Sequence, residues 1–161
     1  MKIGLAIREV GRSEAELADL LLRVGERHRV DHDVFHMSRT LAAKSRESLL
    51  ALADAAARYD ATLDLDAGEP SEGLRATLRE KSSELLGRRP QAALLLLHDL
   101  REVHLAAAAA SMDWVILGQG AQAVRDEDLL ATVTSRHPFA LKTLKWTTTR
   151  LKEAAPQILA S

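Results

Sequence analysis

The sequence predicts an all-α fold, a four-helix bundle built from two helix hairpins joined by a long crossover. Three observations carry this expectation. Ala and Leu supply 55 of the 161 residues, whereas Val, Ile, Phe, Tyr and Trp together supply only 17. Ala and Leu lead the helix scale, while strands draw on β-branched and aromatic residues. Apolar residues also recur in steps of three and four along four long segments, which keeps one face of a helix apolar. A chain of this length makes one domain with a single core.

The first helix is expected over residues 3–28, on the stripe Ile3, Ile7, Val10, Leu17, Leu21, Val24. Ser13-Glu14-Ala15-Glu16 has the form of a capping box and offers a second possible start. Asp31 or Asp33 then serves as N-cap of a second helix running to about Tyr59, with Val34, Leu41, Ser45, Ser48, Leu52 and Tyr59 on one side. Residues 60–73 gather acidic, Gly and Pro residues into a linker too long for a hairpin turn. A short amphipathic helix follows over 74–86, with Gly87 at its C′ position. The third long helix spans 91–124, on the seam Leu96, Leu100, Val103, Ala107, Ala110, Trp114, Leu117, Ala121, Val124. The fourth runs over 127–154 with Asp126 as N-cap, and its expected seam is Leu130, Val133, His137, Leu141, Leu144, Thr148, Leu151. Pro138 is expected to bend it and Pro156 to lie just past its end.

Composition excludes several function classes. Twenty-two basic against 23 acidic residues argue against a nucleic-acid binder, which needs a basic surface to displace counterions. The absence of cysteine excludes disulfides, thiolate zinc sites and cysteine nucleophiles, and fits a reducing, cytoplasmic setting. The N-terminal apolar stretch is too short before charges for a signal peptide, and the run Val103 to Leu117 is broken by His104, Ser111 and Asp113, so no membrane span is expected. No Ser/His/Asp ordering, phosphate loop or HExxH motif occurs, and the chain does not read as an enzyme.

Three stretches carry a family likeness: Gly11-Arg12-Ser13-Glu14-Ala15-Glu16-Leu17 in the first helix, LAAKSRESLLAL from Leu41 to Leu52 in the second, and Arg125-Asp126-Glu127-Asp128-Leu129-Leu130 between the third and fourth. With the order hairpin, crossover, hairpin, they resemble the ferritin-like superfamily, in pattern the small bacterial stress-associated ferritin-like proteins. The resemblance implies a dinuclear metal centre with six inward ligands, a Glu from each of two helices and a Glu-x-x-His from each of the other two. Glu14 stands where the first Glu is implied. Ser45 and Ser48, at matching depth from the turn, stand where the first Glu-x-x-His is implied. The other Glu falls near Ala107, and the second Glu-x-x-His near Leu141 and Leu144 or one turn earlier at His137. Most of the ligand set is therefore replaced.

The leading expectation is a non-enzymatic, metal-free ferritin-like bundle acting as a structural or interaction module. The alternative is an iron- or manganese-binding protein with an unorthodox site of Glu14, His98, Glu102 and His137. That site needs a turn at Gly118-Gln119-Gly120; a turn at Arg125-Asp126 leaves Glu102 and His137 about 15–18 Å apart along the bundle. A third reading is an apolar ligand held by Trp114, Trp146, Met112 and His137. Glu14 is expected to pair with a base or with the two serines, His137 to be a hydrogen-bonded core histidine, and His28, His32 and His36 to be solvated or interfacial, with zinc or nickel binding as the other possibility. The third helix is apolar around most of its circumference through Leu94, Leu95, Leu97, Leu105, Met112 and Ile116. A helix of that kind must be covered, by the helix 74–86 or by a second copy, so a homodimer through this helix is expected, with Arg101, Glu102 and His98 near the interface.

Overall fold

The computed structural model describes residues 2–69, Ala76 and 89–161. The described residues form four long helices and one short helix, without strands: α1 (Ile3–Arg27), α2 (His32–Leu50), α3 (Ala53–Arg58), α4 (Arg89–Val124) and α5 (Glu127–Leu159). None is long and apolar enough to cross a membrane. The expected helix over 74–86 lies outside the described residues, apart from the helical, exposed Ala76.

Both hairpin turns form where acidic caps stand. Asp31 accepts from the Val34 amide at 3.1 Å and starts α2, and Asp126 accepts from the Leu129 amide at 2.9 Å and starts α5. Between α4 and α5, Arg125 takes a left-handed φ of 56°, and the Asp126 amide reaches back to the Ala121 carbonyl at 3.0 Å. That closes the α4 terminus in the manner usual for a helix C-cap. The turn at Gly118-Gln119-Gly120 does not form, because α4 continues through it.

α1 packs against α2 and α4, α4 packs against α5, and α2 touches α5 more lightly. Within these packed pairs the helices run antiparallel. Gly25 lies on Ser38 and Gly4 on Tyr59, which orients α1 against the α2–α3 arm. Gly120 lies on Ile3 while Arg27 bonds Asp99, which orients α1 against α4. The approach at Gly4 is so close that a Cβ there would sit 2.5 Å from the Tyr59 carbonyl oxygen. Residues 61–68 climb along α1: Ala61 lies near Gly4, Leu63 near Gly11, and Gly68, at φ 76°, near Ala18. Arg46 of α2 holds this segment by donating to the Leu65 and Ala67 carbonyls at 3.1 and 2.9 Å.

Several sequence expectations need correction. The capping box at Ser13 is not used; α1 is continuous, and the Ser13 hydroxyl donates to Asp113 of α4 instead. The second helix does not run unbroken to Tyr59. It tightens at Ala51-Leu52, where the Leu52 amide bonds Leu49 three residues back, and resumes as α3. α5 runs through Pro138 and on through Pro156 to Leu159. A proline this close to a helix end removes only one amide bond, while its carbonyl still accepts from Ala160 at 3.2 Å.

The α4 seam is buried from Leu100 to Ala121 as expected, with Leu96 partly buried and Val124 exposed. The α5 seam is rotated from the expected one. Leu129, Val133, Ala140, Thr143 and Thr147 are buried, whereas Leu141 is 47 % exposed. Trp114, the largest fully buried side chain, packs in one cluster with Leu129, Val133 and Ala140 of this face. Thr143 satisfies its hydroxyl on its own helix by donating to the Phe139 carbonyl, whereas the Thr147 hydroxyl bonds the Thr143 carbonyl and also lies 2.9 Å from the His104 Nδ1 of α4.

The apolar interior divides in two. One cluster gathers Ile7, Val10, Leu52, Trp114, Leu117, Leu129 and Val133 toward the α3 end. The other gathers Leu17, Leu21, Val34, Leu41, Val103 and Ala107 toward the α1–α2 turn. Glu14, Ser45 and Ser48 are buried but belong to neither cluster.

Candidate functional site

The stripe that buries Val10 and Leu17 on α1 also brings Glu14 inward, since a step of three or four residues returns to the same face. Glu14 is 1 % exposed. Its Oε1 accepts from the Trp114 indole Nε1 at 2.6 Å, and Ser45 supplies a second hydrogen bond. No cation is among the groups acting on it. Burial is the dominant influence and raises the carboxyl to about 7; the hydrogen bonds from Trp114 and Ser45 pull the other way without overcoming it. Burial therefore shifts this carboxyl toward its protonated form relative to an exposed glutamate.

Around it the layer continues with hydroxyls. Ser48 is fully buried and donates to the Lys44 carbonyl at 3.0 Å. Ser111 and the His137 Nε2 are 2.8 Å apart, and burial lowers the His137 pKa. His137 is thus hydrogen-bonded, as expected, but half-buried at the edge of an open depression instead of lying in the core. The expectation of a base or a serine pair for Glu14 is corrected: one serine contributes, and the principal donor is an indole 100 residues away.

A dinuclear centre needs several carboxylates and imidazoles converging with free lone pairs. This layer offers one fully buried carboxyl, already engaged by N–H and O–H donors, with a bulky indole in contact, and the partly buried Asp113 beside it is taken by the Ser13 hydroxyl. The residues do not fit such a group. Among the described residues, no three His, Cys, Asp or Glu side chains cluster as a metal ion requires.

The alternative quartet is not brought together. Glu14 lies in the interior on Trp114, and His137 faces Ser111 between α4 and α5. His98 and Glu102 line an open surface groove of about 480 Å³ between α1 and α4, beside Leu20, Arg23 and Arg27. Nor does the proposed apolar ligand site assemble. Trp114 and His137 border one open depression of about 340 Å³, whereas Met112 is exposed and Trp146 packs with the other core cluster.

A second polar cluster fastens α1 to α4. Asp99 is 4 % exposed, yet Arg27 donates to both its carboxylate oxygens at 2.9 Å, and the His28 Nε2 lies 2.7 Å away. Burial would raise the Asp99 carboxyl, but the His28 hydrogen bond and the Arg27 charge outweigh it and hold it below the ordinary value. His28 is therefore not a solvated histidine; it is buried on Asp99 at the end of α1. His32 and His36 are exposed and stack at 6.2 Å on the first turns of α2. Sequence reasoning passed over Asp99, although a lone carboxylate after the run Leu94–Leu97 was a signal that a partner must meet it.

Compared with family models, with curated proteins and with solved structures, the chain gives no match.

Proposed function

We propose that this chain is a non-enzymatic structural or interaction module: a four-helix bundle of ferritin-like type that works without a metal centre and assembles as a homodimer through α4. The ends of the helices support the crossover topology. Tyr59 bonds Asp126 at 2.8 Å at one end of the assembly, while Asp99 of α4 bonds Arg27 and His28 toward the other. Residues 61–68 climb along α1, in the direction that a lengthwise crossover would take. A reading without nucleic-acid or membrane partners fits the balanced charge and the helix hydropathy, and the lack of cysteine suits a cytoplasmic setting.

One observation carries the reading. At mid-bundle, where oxygen-activating chemistry needs carboxylates and imidazoles, Glu14 is engaged by Trp114 and Ser45. Elemental analysis of protein purified without a histidine tag tests it. Less than about a tenth of an equivalent of iron or manganese is expected, since indole and hydroxyl are poor ligands for either ion. Near-stoichiometric iron or manganese would overturn the proposal.

A further inference from the structure

We infer that the bundle opens along its α2–α5 side, its two hairpins swinging as bodies about the α1–α4 contact, and that ion pairs latch this side shut. The other three sides are tied from within. In the α1–α2 hairpin, Gly25 lies on Ser38 and Gly4 on the Tyr59 carbonyl. Between α1 and α4, the buried Glu14 bonds Trp114 and the buried Asp99 bonds Arg27. Between α4 and α5, Trp114 and Leu117 share a core cluster with Leu129 and Val133. His137 and Ser111 meet there at 2.8 Å, and His104 and Thr147 at 2.9 Å.

The α2–α5 side is built differently. These two helices touch most lightly of the four neighbouring pairs, and the ties across them are charged. At one end Arg136 donates to Glu47 at 3.3 Å, and Phe139 lies between Lys44 and Arg136, 5.3 and 5.5 Å from its ring centre. At the other end Arg150 donates to Asp31 at 2.8 Å and lies 3.2 Å from Asp33. Glu47 and Asp33 are exposed, and ion pairs that water reaches hold only weakly. Glu47 with Arg136, Lys44 with Phe139 and Asp33 with Arg150 follow one antiparallel register, which brings Met37 level with Trp146 between the two latches. Met37 and Trp146 are only partly buried at the margin of their cluster.

A second feature of this side favours opening. The Trp146 Nε1 and the Arg150 Nε are buried without a hydrogen-bond partner among the described residues. A buried donor without an acceptor penalises the closed state, and water removes that penalty in the open one. Local opening is drawn from regions with few buried apolar contacts and solvated ties, and paired helices that keep their internal packing move as bodies.

Deuterium exchange of the two indole N–H protons in the full chain, followed by ¹⁵N NMR and assigned with Trp146→Phe, tests this. Raising NaCl from about 20 mM to about 1 M cuts the screening length to about 3 Å. It is expected to speed exchange at Trp146 about three- to tenfold and to leave Trp114 unchanged. Arg150→Gln is expected to give the same acceleration at low salt. Joining Glu47→Cys to Arg136→Cys with a short bismaleimide, in a chain without other cysteines, is expected to slow exchange at Trp146 below the parent rate. Acceleration of both indoles by one factor would mean global unfolding and would overturn the inference. So would a Trp146 rate that salt, Arg150→Gln and the cross-link all leave unaltered.

Discussion

Replacing Glu14 by Gln keeps the shape of the side chain and removes its charge. The amide oxygen of Gln can still accept from the Trp114 indole, and the Ser45 hydroxyl can turn to accept from the amide nitrogen. The Glu14 carboxyl sits near 4.5 in the unfolded chain and at about 7 in the folded protein, because burial penalises the ionised form. Below about pH 4.5 the group is protonated in both states and has no effect on stability. As pH rises toward 7, the unfolded chain ionises freely while the folded chain resists, so stability falls. Above 7 the full penalty is present, about 3 kcal/mol from the separation of the two values. Urea denaturation of the two proteins near pH 5 and near pH 8, followed by circular dichroism, measures it. Glu14→Gln is expected to be more stable by up to about 3 kcal/mol at the higher pH and nearly equal at the lower. A variant less stable than the parent at high pH, or a gap that ignores pH, would refute the reasoning.

Further substitutions probe the contacts around this layer and at the bundle ends. Trp114→Phe removes the indole N–H and should destabilise by about 2 kcal/mol or more, since a buried carboxyl loses its main donor and a cavity opens; denaturation should show a larger loss at high pH than at low. Asp99→Ala should lose about 3 kcal/mol, because Arg27 and His28 are left without their buried counter-charge; the parent protein should itself lose stability as pH falls through the Asp99 pKa, which lies below the ordinary value, and an acid titration of stability checks both. Asp126→Ala should lose about 1–2 kcal/mol in urea denaturation, because the α5 cap and the bond from Tyr59 disappear together.

What could be read in the sequence depended on how local its cause was. The α4 seam was legible residue by residue, because Leu100 through Ala121 repeat in threes and fours and are buried on that pattern. The turn at Arg125-Asp126 was legible because an N-cap acts within three residues of itself. The α5 face was misjudged because hydrophobicity favoured Leu141 over Ala140 and Thr143, whereas Ala140 packs in one cluster with Trp114 of a different helix and Leu141 is exposed. Glu14 could be identified as an inward carboxyl from the stripe around it, but its indole partner lies 100 residues on. The pairing of Asp99 with His28, 71 residues apart, was invisible for the same reason. Pairings of this range follow from how helices dock, and no local pattern encodes them.

The account turns on a single carboxyl, solvated only by neutral donors, where a ligand set would have to stand. A titration of the Glu14 side-chain carboxyl by ¹³C NMR, run with and without excess Mn²⁺, addresses it directly. The signal is expected to titrate close to 7 and to remain sharp when the paramagnetic ion is added. Titration near the ordinary 4.5, or loss of the signal on adding Mn²⁺, would contradict the account.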